Sequence, residues 1–242
     1  MVTMNVRMVL ILVLPALAQA QTGTIRGTVT SQDGKPVGGA VVSYARIPVF
    51  LTPAQGFPRY RLAPGELAVN YWVVADGNGD FAVDGLPAGK YLLCVEVPGL
   101  PFLNPCKWST SVLAVLASGA TVPVRIPLNL GVYLKVRIDD PQGLLPPTRK
   151  SPLDFPHLSV GVVFGSGAYH ALTEVSVDSA GRNFQIAVPA AIPLQLYLSS
   201  HNVKLADSSG SPIDNQGTRV SFQAIASQDR SFRFQVTGAV AP

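Results

Sequence analysis

Three oxygen-bearing side chains at alternate positions, Asp76, Asn78 and Asp80, stand in the run DGNGDF, a spacing that could gather ligands around calcium. The helix-loop-helix calcium site also requires Gly at its sixth place and a bidentate Glu at its twelfth, where this sequence has Phe81 and Pro87. An Asp, a Gly three residues later and an aromatic opening a strand suit a hairpin turn. The Asp side chain can accept from backbone N–H groups ahead of it, and Gly tolerates positive φ. A turn is therefore the expectation; a surface cation site on Asp76, Asn78, Asp80 and Asp84 is the alternative.

The other reactive side chains lack companions. His157, His170 and His201 are far apart and show no paired-ligand spacing, so each is expected in a loop or at the surface. Ser166, in FGSGA, lacks the flanking glycines of a nucleophile elbow and reads as part of a Gly-rich turn. No loop of the phosphate-cradling kind is present. No catalytic residue, metal ligand or cofactor site is assigned, and the chain is expected to be non-enzymatic. Cys94 and Cys106 have neither a C-x-x-C spacing nor a nearby His, which favours a disulfide over a metal site. In the chain-entropy model that bond contributes about 3 kcal/mol.

Binding chemistry is better represented. The segment 47–67 is punctuated by Pro48, Pro53, Pro58 and Pro64, which precludes a regular helix or central strand. It carries Phe50, Phe57, Arg59, Tyr60 and Arg61, and the cysteine segment CVEVPGLPFLNPCKW carries Phe102, Lys107 and Trp108. Aromatic rings flanked by hydrogen-bonding groups suit a polysaccharide or an envelope protein as partner. The alternative is that these rings fold back over a small core. Trp72, inside an apolar run, is expected in the core.

The elements that must position these residues are strands. Residues 1–20 read as an export signal: a basic stretch ending at Arg7, an apolar core from Met8 to Leu17, and Ala18-Gln19-Ala20 as cleavage site. Export makes the compartment secreted or periplasmic, where disulfides persist. No later run is long and apolar enough to span a bilayer. The formal charge of +4, reduced by one when Arg7 leaves, is too small and too dispersed for nucleic acid.

TIRGTVT, AVVSYARI, YWVVAD, DFAVDGL, KYLLCVEV, SVLAVLAS and TVPVRIPL arrive at short spacing with turn residues between them, the pattern of a sandwich. A restart follows at VYLKVRI, with Val132, Leu134, Val136 and Ile138 on one face. VRIDDPQGLLP repeats the order of GTVTSQDGKP, and VDSAGRNFQIAVP echoes ADGNGDFAVDGLP. In the second copy Ala180 and Arg182 replace Asn78 and Asp80, so the shared feature is the turn. The expected fold is all-β, with two tandem Greek-key β-sandwiches at 21–128 and 129–242, the second a diverged repeat.

Gly27-x-Val29, Gly34-x-Pro36, Ala40-x-Val42, Asp76-x-x-Gly79-x-Phe81, Leu86-Pro87-x-Gly89-x-Tyr91 and the closing VPVRIPL together resemble the carboxypeptidase regulatory-like domain. The resemblance covers Thr22 to Leu128. It implies a seven-stranded, transthyretin-like (prealbumin-like) sandwich, also described as carbohydrate-binding-like, and a supporting or recognition role that carries no catalytic residue. Carbohydrate binding is the first functional expectation. A structural or protein-interaction role in the cell envelope is the alternative, and an accessory protein to a peptidase or polysaccharide hydrolase the third.

Overall fold

The computed structural model describes residues 21–47, 71–109, 111–145, 158–165, 167–214 and 217–240. The export signal and its cleavage site at Ala20 lie outside the described residues. The chain is β1 (Gly23–Ser31), β2 (Val41–Ile47), β3 (Tyr71–Val74), β4 (Asp80–Leu86), β5 (Gly89–Glu96), α1 (Pro105–Trp108), β6 (Val112–Leu116) and β7 (Thr121–Leu128). It continues as β8 (Val132–Asp139), β9 (Leu158–Phe164), β10 (Ala168–Ala171), β11 (Thr173–Asp178), β12 (Gly181–Val188), β13 (Pro193–Ser200), β14 (Val203–Asp207), β15 (Thr218–Gln223) and β16 (Arg230–Ala239). Among the described residues no helix is long and apolar enough to cross a membrane.

Alternation decides what each strand buries. In β8, Val132, Leu134, Val136 and Ile138 are buried while Lys135 is exposed. In β6, Ala114 and Leu116 are buried while Leu113 and Val115 face out. The described core residues fall into two clusters, one drawn from Ile25 to Leu128 and the other from Val132 to Val236.

The sheet orders repeat between the two halves. The first half has the sheets β4-β1-β7 and β3-β2-β5-β6; the second has β11-β12-β8-β16-β14 and β10-β9-β13-β15. Removing β11 and β14, which extend the edges of one sheet, leaves the same connectivity in both. The opening strand pairs parallel with the closing one in each half, β1 with β7 and β8 with β16.

The DGNGD stretch is a tight turn, but not the expected hairpin: it passes the chain from β3 in one sheet to β4 in the other. Asp76 Oδ1 accepts from the backbone N–H of Asn78 at 2.8 Å and of Asp80 at 2.9 Å, and Gly79 donates to the Asp76 carbonyl at 3.0 Å. Phe81 then enters the core. The second half builds the same turn, with Asp178 Oδ1 accepting from Ala180 at 2.8 Å and Phe184 buried. A third Asp-led turn, without the following aromatic, is ADSSGS: Asp207 Oδ1 accepts from Ser209 and Ser211 at 2.9 and 3.0 Å. Oδ1 of Asp76 is thus taken up by backbone donors, and Asp84 accepts from Thr24.

Gly79 has φ +76°, and an added Cβ would lie 2.3 Å from the Val29 carbonyl oxygen. Gly34 has φ +79° with nothing within 4 Å. Gly34→Ala is expected to cost about 1 kcal/mol, the left-handed strain alone, and Gly79→Ala at least about 2 kcal/mol because the β1 backbone must also move. Urea-denaturation midpoints of the two variants measure that difference.

Candidate functional site

The cysteine segment forms an arm between the two halves. Cys94 lies on β5 between the inward-facing Leu93 and Val95, so its side chain leaves on the outer face of β3-β2-β5-β6. The chain turns beyond Glu96 and meets the start of the second half. Leu103 donates to the Asn129 carbonyl at 2.9 Å, Gly131 to the Pro101 carbonyl at 2.8 Å, and Phe102 bridges to Leu130.

The one-turn helix α1 then begins at Asn104, whose side chain accepts from the Cys106 N–H at 2.9 Å, with Pro105 in the first turn where its missing N–H costs nothing. Cys106 closes the disulfide to Cys94, with Cα atoms 5.4 Å apart.

Trp108 is carried by this helix onto the second half. Its ring centroid lies 5.0 Å from Phe164 and 5.0 Å from His170, and those two rings stack at 5.3 Å. Trp108 and Phe164 pack against the second core, whereas Phe102 packs against the first. Lys107 pairs with Glu96 at 3.1 Å, and Asn104 donates to the same Glu96 oxygen at 3.2 Å.

His170, expected in a loop or at the surface, lies on β10 with Nε2 buried and unpartnered. Burial holds its pKa below the ordinary 6.5, a hydrogen bond to the Lys107 backbone opposes that, and the Lys107 charge reinforces it. The cause of the discrepancy is α1, a short tertiary contact that leaves no periodicity in the sequence around His170.

Between arm and second half lies a cleft of about 340 Å³. One wall is Leu100, Phe102, Lys107 and Trp108; the facing wall is Tyr133, Thr173, Gln185 and their neighbours. Of the residues singled out in the sequence, Phe102, Lys107 and Trp108 come together here. Phe57, Arg59, Tyr60 and Arg61, with Phe50, lie outside the described residues.

A second surface is the outer face of β3-β2-β5-β6. Trp72 is 67% exposed on the edge strand β3, Leu113 and Val115 are exposed on the opposite edge β6, and Val74 adds to the first. The register places Ser43 between Trp72 and Cys94, and Leu92 beside Leu113. Trp72 is therefore not in the core, contrary to expectation. Val73 packs inward, and strict alternation turns its neighbour out.

A depression of about 700 Å³ over Arg26, Thr28, Ala82 and Arg125 is a plain sheet face, whose single aromatic, Phe81, is buried in the core. Among the described residues no group of three or more His, Cys, Asp or Glu could hold a metal ion. On the opposite half, Arg137 makes a two-pronged contact with Asp178 at 2.6 and 2.9 Å, holding that carboxyl down at about 2. Asp139 bridges Arg137 and Arg233, and those contacts lower its pKa. These side chains offer contact surfaces and fixed charges.

No protein-family model matches the sequence, and no curated protein matches it. Among solved structures, a streptococcal ancillary pilin is similar at 14% identity and TM-score 0.38, over 89% of this chain and 62% of that one. The shaft pilin SpaA of Lactobacillus rhamnosus GG is similar at 11% identity and TM-score 0.32, over 93% and 100% of the two chains. A 3-chlorocatechol 1,2-dioxygenase from Rhodococcus opacus is similar at 10% identity and TM-score 0.31, over 46% and 61%.

Two outcomes are expected at the arm. Replacing both cysteines by Ser should lower stability by about 3 kcal/mol, read as a shifted denaturation midpoint. For His170, a folded pKa below the unfolded 6.5 means the unfolded chain takes up its proton first as pH falls. The stabilisation is intact above 6.5 and is lost as pH falls through the folded value. Between about pH 7 and pH 5 the native protein should therefore lose more stability than His170→Phe does; equal slopes would show that the ring titrates freely.

Proposed function

We propose that this chain is an exported, non-enzymatic module of the cell envelope, cut after Ala20, that holds other proteins through the outer face of β3-β2-β5-β6. Its domains are 21–128, a carboxypeptidase regulatory-like sandwich of the transthyretin-like kind, and 129–242, a diverged repeat. The observation carrying the reading is that β3 and β6, the edge strands of this sheet among the described residues, carry the exposed Trp72, Val74, Leu113 and Val115 on one face. Large apolar side chains clustered on edge strands mark contact with another polypeptide. Of the aromatics on the cysteine arm, Phe102 packs against the first core and Trp108 against the second, so only part of each ring is left for a ligand, which moves the balance from glycan recognition toward assembly.

Carbohydrate binding remains as a second reading, favoured by one feature, the cleft beside that arm.

A photo-crosslinking residue at Leu113, compared with one at Arg125 on the other sheet, tests the assembly reading in cells that export the protein. Discrete adducts are expected from position 113, reduced at least about tenfold by Trp72→Ser, a loss of the order of a contact hot spot. Equal labelling from both positions, or adducts indifferent to Trp72→Ser, would remove this face from the account.

A further inference from the structure

From the chemistry of its two walls we infer that the cleft between the halves is a binding site for a short, neutral saccharide; the inference rests on the carbohydrate reading. The volume of about 340 Å³ falls in the range of small-ligand sites. Its shape is fixed before any ligand arrives, because the disulfide, the two backbone bonds at Leu103 and Gly131, and the Trp108–Phe164–His170 contact all hold the arm in place. A preorganised cleft avoids the ordering cost that weakens binding by a loose one.

The lining selects the ligand class. Lys107 and Glu96 are paired with each other, so the cleft presents no uncompensated charge to an anion or a cation. Thr173 and Gln185 are cross-strand neighbours on the outward side of β11 and β12. Neither makes a side-chain hydrogen bond among the described residues, so their hydroxyl and amide are available to a ligand. Amide and hydroxyl groups both donate and accept, which matches a polyol. Tyr133, with the parts of Phe102 and Trp108 that packing leaves exposed in the cleft, supplies ring surface for the C–H faces of a sugar.

The test is calorimetric titration of residues 21–242 with linear hexasaccharides of glucose, mannose and N-acetylglucosamine, and with an uncharged extended peptide as control. Saturable binding of at least one saccharide is expected. Gln185→Leu and Thr173→Val should each weaken it about two- to tenfold, the range for one neutral hydrogen bond. Both are outward-facing, so denaturation midpoints should stay at the native value; Trp108 is left intact because it also joins the halves.

Trp72→Ser should leave affinity unchanged. Saccharide binding lost in Trp72→Ser but indifferent to Gln185→Leu and Thr173→Val would overturn the cleft while keeping carbohydrate recognition. No binding of any of the saccharides, or binding of the peptide alone, would overturn both.

Discussion

The arrangement of the molecule depends on one anchored ring. Trp108 belongs in sequence to the first half, yet it packs against Phe164 and His170 of the second. A single indole on a free loop would lose much of its contact energy to the entropy of ordering that loop. Here the disulfide from Cys94 to Cys106 ties the loop to β5, so the ring is delivered close to its final position. The bonds at Leu103 and Gly131 fix the same junction at the backbone level. What would otherwise be a flexible connection at Asn129 becomes a short, braced one.

That constraint separates the surfaces available for recognition. The arm is tied to the outer face of β3-β2-β5-β6 at Cys94, while Trp72 and Leu113 on the two edge strands of that face stay exposed. It also makes the cleft, whose lining comes from both halves. The proposed protein contact and the inferred saccharide site are therefore neighbours joined through one disulfide rather than independent patches.

Much of the fold was legible in the sequence because period-two alternation is strong wherever a strand has one buried face. The run VYLKVRI placed four side chains inside, and all four are buried. The Asp–Gly–aromatic turns were equally legible, since their hydrogen bonds are local. Trp72 was misjudged because YWVV is apolar on both faces, so alternation in the sequence does not say which face is buried; the fold turns Val73 to the core and Trp72 to the outer face. His170 was misjudged for the related reason that its neighbours come from α1, more than sixty positions earlier in the chain. The cleft was half legible: Phe102, Lys107 and Trp108 were singled out, whereas Tyr133, Thr173 and Gln185 carry no motif and are brought there only by the junction.

Whether the arm braces the two halves into one unit is read from residual dipolar couplings of backbone amides. Couplings from β1–β7 and from β8–β16 are expected to fit a single alignment tensor in the oxidised protein. Two tensors of different magnitude or orientation, with the Cys94–Cys106 bond intact, would mean that the halves move independently and would contradict it.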